Sequence, residues 1–198
     1  MNFTHLHVHT EYSLLDGSNK ITEYVERVKE LGMESAAITD HGVMYGCIDF
    51  YRACKAAGIN PILGCEVYVA PNSRFDRETG SGEDRYYHLV LLAESNQGYS
   101  NLMKIVSKSF VEGFYYKPRV DLALLKEYHE GIIALSACLA GEVARYLTRG
   151  MYEEGKKAAL RYEEISEREI FPRATGPWHF SAADGKSAAF AYAPGDRN

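Results

Sequence analysis

The chain has 198 residues, of which 46% are hydrophobic and 25% charged, the ordinary composition of a globular domain. The formal net charge is −5, so no global basic field indicates nucleic-acid binding, and no apolar run reaches the roughly 18 residues of a membrane span. The N-terminal residues lack the pattern of a signal peptide and the four cysteines form no CxxC pair, so we expect a cytoplasmic protein with reduced thiols and no membrane partner.

The apolar pattern predicts strands that alternate with helices along most of the chain. The predicted strands are residues 3–9, 35–39, 61–69, 87–93 and 131–136. The predicted helices are residues 21–31, with Ser18 as the cap, and residues 45–57, 102–111, 141–149 and 152–165. A polar loop is expected over residues 71–85. This alternation predicts an α/β fold with a largely parallel sheet or a barrel.

The composition changes near Phe171. From Pro172 to Asn198, 15 of 27 residues are Ala, Gly, Ser or Pro, and no helix or strand period is visible. Such a composition is typical of a flexible linker or tail. We therefore divide the chain into a partial domain, residues 1–165, and an anomalous tail, residues 166–198.

Three histidines, His5, His7 and His9, share the first predicted strand. Because side chains alternate along a strand, all three would point to one face. A partly exposed strand is the simpler interpretation. The alternative is a metal site, since imidazole binds zinc, manganese or iron.

Other candidate ligands follow or interrupt the later predicted strands; they are Asp40, His41, Glu66, His88 and Cys138. Each has an ordinary explanation, because an Asp-His pair often caps a strand, a buried Glu can form an ion pair, and a lone Cys is usually a small buried side chain. In a barrel, however, residues at strand ends meet at one mouth. Their joint placement favours a multi-metal site, which would activate water for phosphoryl chemistry.

Five segments occur in the order typical of one family. They are HLHVHTEYSLLDG (5–17), AITDHGVMYGCIDFY (37–51), GCEVYVAP (64–71), YHLVLLA (87–93) and LSACLAGEV (135–143). They resemble the successive motifs of the PHP (polymerase and histidinol phosphatase) domain. Residues 96–121 further resemble a segment of the PHP domains found at the N-terminus of bacterial DNA polymerase III α subunits, which stand-alone PHP phosphatases generally lack.

The resemblance implies a distorted (β/α)7 barrel, here incomplete at its C-terminal end, with up to three divalent metal ions (Zn, Mn or Fe) at its mouth. The metal ligands that it implies are His7, His9, Asp16, His41, Glu66, His88 and Cys138. Asp40 and His5 would orient ligands from behind. The family's final Asp-x-His motif is absent from this chain, so we expect an impaired metal site.

The resemblance also implies a function. The leading expectation is the PHP fragment of a replicative polymerase subunit, with a metal-dependent phosphoesterase or 3′–5′ exonuclease type of site. It would meet DNA through the parent polymerase, together with replicase subunits that include a proofreading subunit. The alternatives are a catalytically silent scaffold for that proofreading subunit and a stand-alone PHP phosphatase. The fragment is too short to hold polymerase activity.

We expect the residues from about Ser166–Phe171 onward to be the out-of-frame product of a frameshifted gene or of a sequencing error. The codons of residues from Arg173 onward permit ELQDHGIS in the neighbouring frame, which looks like the family strand, and those from Gly185 permit a sequence with helical spacing. Resequencing the gene across the codons of residues 162–178 should reveal a frame change. An unbroken frame together with a matching intact-protein mass would contradict the proposed shift of reading frame.

Overall fold

The computed structural model describes residues 3–77 and 85–165. Its helices are α1 (Ile21–Glu30), α2 (Cys47–Ala57), α3 (Asn96–Val111), α4 (Leu122–Glu127), α5 (Glu142–Thr148) and α6 (Tyr152–Ile165). Its strands are β1 (Ser35–Ile38), β2 (Asn60–Val69), β3 (Tyr87–Ala93), β4 (Arg119–Val120) and β5 (Ile132–Leu135). The anomalous tail lies outside the described residues. No described helix has both the length and the apolar character needed to cross a membrane.

The sheet is organised around β2. The first residues of β2 pair in parallel with β1, its last two pair in parallel with β4, and β3 lies antiparallel along it. Strand β5 is antiparallel to β3. Over residues 3–77 and 85–165 no ladder joins β1 to β5, so this part of the sheet is open. The predicted α/β class is confirmed, and an open sheet agrees with an incomplete barrel.

The expected largely parallel sheet is wrong, because two of the four ladders are antiparallel. Strands β2 and β3 are consecutive in the chain, and an antiparallel pair does not require a crossover helix between its strands. The alternation of apolar and polar residues is the same in both directions, so it could not reveal this reversal.

The predicted strand over residues 3–9 is also wrong. This segment forms no ladder, and its described backbone–backbone hydrogen bond lies at Val8, next to the end of β1. There the Val8 carbonyl accepts the Thr39 backbone N–H at 2.8 Å, while the Val8 N–H donates to the Thr39 hydroxyl oxygen at 2.7 Å. One anchoring residue gives no continuous pairing, so the three histidines need not share a face.

The cap of one helix and the start of another differ from prediction. Helix α1 begins at Ile21 as predicted, but its N-cap is Lys20 rather than Ser18, and the Glu11 carboxylate accepts the Ile21 N–H at 3.3 Å. Helix α3 begins at Asn96 rather than Leu102, because the Ser95 side chain accepts the Gly98 N–H and caps it. Strand β4 and helix α4 were not predicted; both are short.

The two faces of the sheet have different roles. One face packs against α3, α4 and α6 in an apolar core. The core residues on β2 and β3 are Cys65, Val67, Val69, Leu89 and Leu91. Because side chains alternate, the intervening Glu66 and His88 point to the opposite face. A second core joins α1 and α2 to β1 through residues such as Val25, Ile38 and Phe50.

Helix α3 is held to the sheet by a close backbone contact. A Cβ at Gly98 would lie 1.9 Å from the carbonyl oxygen of Gly131, which precedes β5. The helix can approach this turn only because position 98 has no side chain.

We expect Gly98→Ala to lower the free energy of unfolding by about 1–3 kcal/mol, since the helix or the turn must move to admit a methyl group. Urea unfolding followed by circular dichroism would measure it. Ser107→Ala, at an exposed position of the same helix, is the matched control and should change stability little. Equal stability of the two variants would contradict the close packing.

Candidate metal centre

Most of the candidate ligands lie around the carboxylate of Glu66, which is fully buried in the middle of β2. Its backbone is fixed on both sides of the side chain: the Glu66 N–H donates to the Asp40 carbonyl at 3.0 Å, and the Glu66 carbonyl accepts the Gly42 N–H at 2.8 Å. These bonds continue the sheet past the end of β1. They bring Asp40, His41 and Glu66 together although 25 positions separate the last two in sequence.

Four imidazoles surround this carboxylate. His7 Nε2 contacts Oε2, and His88 Nδ1 contacts Oε1. His41 Nδ1 lies 3.1 Å from Oε1, and His9 Nε2 lies 3.6 Å from Oε2. All four rings are partly exposed, so the buried carboxylate lies at the base of an open cup.

His88 lies close to Glu66 because β3 is antiparallel to β2. It lies near the N-terminal end of its strand, opposite Tyr68 in the register, and is therefore a diagonal neighbour of Glu66 on one sheet face. In a parallel strand the same position would lie at the far edge of the sheet. The antiparallel pairing that the sequence analysis missed thus places His88.

A second group forms around His41. Its Nε2 lies 2.9 Å from Asp16 Oδ2, and its ring stacks on that of His9 with centroids 3.9 Å apart. The His9 Nδ1–H donates to the Thr39 carbonyl at 2.9 Å, which leaves Nε2 as the nitrogen that faces the cup. This is the arrangement by which a backbone carbonyl fixes the tautomer of a metal-binding histidine.

Asp40 is buried and lies behind the cup. Its carboxylate accepts hydrogen bonds from the Thr10 N–H at 2.6 Å, the Thr10 hydroxyl at 2.7 Å and the Ser13 hydroxyl at 2.7 Å. The Ser13 hydroxyl oxygen in turn accepts the His41 N–H at 3.1 Å. Asp40 therefore shapes the loop between His9 and Asp16, rather than contacting a ligand ring.

Cys138 approaches from the loop after β5. Its Sγ lies 3.6 Å from His88 Nδ1. Ala137, just before it, has φ of 59°, and a Cβ at Gly141 would lie 2.2 Å from the Ser136 carbonyl oxygen. The loop is thus tightly folded back, which carries the thiol to the edge of the cup.

His5 lies apart from these residues. It is exposed, and its ring packs edge-on against Phe3 with centroids 4.7 Å apart. The described contacts do not join it to the cup. Of the sequence candidates, the structure gathers His7, His9, Asp16, His41, Glu66, His88 and Cys138, with Asp40 behind them.

The electrostatics of the cup depend on the paired carboxylate. Burial alone would raise the pKa of Glu66, but the close imidazoles of His41, His7 and His88 outweigh it and hold the pKa far below its usual range. Burial lowers the pKa of His88, yet the contacts with Cys138 and Glu66 prevail and raise it to about 9. Burial and the neighbouring His41 lower the pKa of His9.

The donor set suits divalent metal ions. Three overlapping groups, His7–His9–Glu66, His9–Asp16–His41 and His41–Glu66–His88, each bring their nitrogen and oxygen atoms within 4.8 Å of one another. In the described part of the chain, the buried atoms Glu66 Oε1 and His41 Nδ1 have no hydrogen-bond partner, although they lie 3.1 Å apart. Ligand atoms that crowd together without mutual hydrogen bonds fit a shared cation, and imidazole with carboxylate suits Zn, Mn or Fe.

The aromatic wall beside the cup was not predicted from the sequence. The Tyr68 ring lies parallel to His41 with centroids 6.3 Å apart, and Tyr86 lies parallel to His88 at 6.0 Å. The available signal was the period of two on β2 and β3, which places Tyr68 and His88 on the face of Glu66.

A family model and individual relatives were found for this chain. A family model described as "PHP domain" matches residues 5–171. DNA polymerase III subunit alpha of Treponema pallidum (strain Nichols) is 50% identical over 165 residues, covering 83% of this chain and 14% of that protein. The Helicobacter pylori (strain ATCC 700392 / 26695) protein of the same name is 48% identical over 180 residues, covering 85% of this chain and 14% of its own. The chain thus spans about 14% of the length of these relatives.

Among solved structures, this chain is similar to an amidohydrolase from Chromobacterium violaceum, with 18% identity and a TM-score of 0.36. The alignment covers 83% of this chain and 51% of the amidohydrolase chain. A score of this size supports no argument about shared fold or function.

The cup predicts pH-dependent metal binding. Because metal must displace the proton of His88, whose pKa is about 9, the apparent affinity for Mn²⁺ should rise with pH between 6 and 8.5, by up to about tenfold per pH unit for this one proton. Calorimetry in buffers of different ionisation enthalpy would count the protons released. His88→Ala should release about one proton fewer, and a pH-independent affinity of the unmodified protein would contradict the assignment.

Proposed function

The chain belongs to the PHP domain family and matches the PHP domain at the N-terminus of DNA polymerase III α subunits, and from that premise we propose that its cup is a divalent-metal centre for hydrolysis of phosphodiesters at a DNA 3′ end. The proposed ligands are His7, His9, Asp16, His41, Glu66, His88 and Cys138. The native metal is Zn, Mn or Fe.

One observation carries this proposal: a fully buried carboxylate is ringed by four imidazoles at the base of an open cup. A buried charge of this kind is costly unless it is paired or bound to metal. The side chains at the rim remain accessible, with His7 29% and Asp16 56% exposed. A purely structural ion-pair network would not need four partly exposed histidines around one carboxylate.

Divalent ions bound in the cup would supply Lewis-acid chemistry, which activates water near neutral pH and stabilises a leaving oxygen. The ligand residues named above would hold them. The close imidazoles of His41, His7 and His88 favour the ionised form of Glu66. His9 is fixed by Thr39, and the loop that carries Asp16 is fixed by Asp40.

Cys138 and His88 form the flank of the cup. The hydrogen bond from His88 lowers the pKa of the Cys138 thiol, which favours the thiolate that soft or borderline ions prefer. We propose that this flank holds one ion together with Glu66. Strong zinc binding is expected at a site that combines thiolate, imidazole and carboxylate.

The second candidate function is that of a silent scaffold for a proofreading subunit, with DNA contacted only through the parent polymerase. In that case the cup would hold metal without hydrolysing a phosphodiester. The segment 96–121 argues against the third candidate, a stand-alone PHP phosphatase.

We expect His7→Ala to lose at least one bound metal ion, because it removes a proposed metal ligand beside Glu66. Hydrolysis of a 3′-mismatched primer should then fall by a factor of about 100 or more. Metal analysis by mass spectrometry and a gel assay of primer shortening would measure both effects. His5→Ala, two positions earlier and outside the cup, should behave like the unmodified protein.

Bound metal without primer shortening would leave the scaffold function. Faster hydrolysis of small phosphomonoesters than of the primer would favour the phosphatase. If His5→Ala and His7→Ala lost metal equally, the proposed ligand set would be wrong.

A further inference from the structure

A chain of aromatic rings leads outward from the metal cup. Tyr68 lies edge-on to His88, with centroids 5.3 Å apart, and edge-on to Tyr86 at 4.9 Å. These rings thus contact each other and the proposed ligands. They form one wall of the cup, which continues into the turn that follows α3.

Two cations lie along this wall. Lys117 Nζ is 5.3 Å from the centroid of the Tyr68 ring, and the Arg85 guanidinium carbon is 4.5 Å from the centroid of Tyr116. Tyr116 is 64% exposed, so its ring is accessible to solvent. Although the net charge of the chain is −5, two positive side chains lie along the wall beside the cup, where a phosphate ester would carry negative charge.

The turn that carries Tyr116 and Lys117 packs against residues of the cup. A Cβ at Gly42, which follows His41, would lie 3.0 Å from Pro118 Cγ and 2.9 Å from the Tyr68 ring. The Tyr115 N–H donates to the Lys117 carbonyl at 3.0 Å across the turn. Tyr116, between them, has φ of 62°, a left-handed conformation that is unfavourable for tyrosine.

The strained backbone presents the ring outward rather than into the core. An exposed tyrosine beside an arginine is by itself common on protein surfaces. Here the ring is held out by an unfavourable backbone conformation on a turn packed against a ligand loop, and residues in such conformations concentrate at binding sites.

We propose that Tyr116, Arg85 and Lys117 form a subsite for single-stranded nucleic acid, which holds the nucleotide next to the one at the metal cup. The base stacks on Tyr116, and the cations contact the flanking phosphates. An aromatic platform combined with basic side chains is how proteins bind single strands without reading their sequence. The choice of substrate rests on the proposed function, but the binding itself does not require metal.

The test is fluorescence anisotropy of the full 198-residue chain with a short oligothymidylate labelled at its 5′ end, in EDTA. Because stacking of a base on an aromatic ring is lost, Tyr116→Ala should weaken binding by about tenfold. Tyr116→Trp should preserve it. Lys117→Ala should reduce the slope of log Kd against log salt concentration by about 0.7, the value for one phosphate contact on a single strand.

Lys55→Ala is the matched control, since Lys55 lies over the Tyr51 ring at 5.4 Å on helix α2. It should change neither affinity nor slope. The proposal is overturned if the unmodified protein does not bind the oligonucleotide, or if Tyr116→Ala and Lys117→Ala match the control. Should Tyr116→Ala fail to fold by circular dichroism, Lys117→Ala and Tyr116→Trp still decide.

The binding assay is separate from the hydrolysis assay. Loss of metal-dependent primer shortening with intact, Tyr116-dependent binding in EDTA would refute the proposed function and leave the subsite standing. The reverse result, primer shortening that is equal in the Tyr116→Ala variant and the unmodified protein, would refute the subsite alone.

Discussion

The buried carboxylate of Glu66 is the constraint on which the rest of the site depends. It is ionised in the interior of the protein, and only the surrounding imidazoles compensate for the loss of water. The four histidines come from three parts of the chain: His7 and His9 from the N-terminal segment, His41 from the loop after β1 and His88 from β3. These parts of the chain must therefore meet around one side chain.

The core and the site share the same strands. Strands β2 and β3 bury Cys65, Val67 and Leu89 on one face while Glu66 and His88 face the cup. A shift of register by one residue would exchange the two sets, placing a carboxylate in the apolar core. The apolar contacts that stabilise the sheet thus also fix the positions of the ligands.

The N-terminal segment is held differently from the strands. Its backbone pairs with Thr39 through Val8 alone among the described residues, so its position depends on side-chain polar contacts, above all those that Asp40 makes with Thr10 and Ser13. Such contacts are local and directional. They explain how a segment without regular structure delivers His7, His9 and Asp16 to the cup.

The α/β class and most of the helices and strands could be predicted from the sequence, because apolar periodicity is a local feature. The cup histidines, Glu66 and Cys138 were recognisable as unusual side chains on or after predicted strands, whereas Asp16 was implied only by the family resemblance. Strand direction, the irregular path of residues 3–9 and the separation of His5 from its neighbours became visible only in the folded structure. Those outcomes depend on pairing between distant residues, and a period of two is the same for a parallel strand, an antiparallel strand and an extended segment with a single anchor. The placement of Tyr116 and Lys117 beside the cup has the same origin, since it depends on the close contact of Gly42 with Pro118.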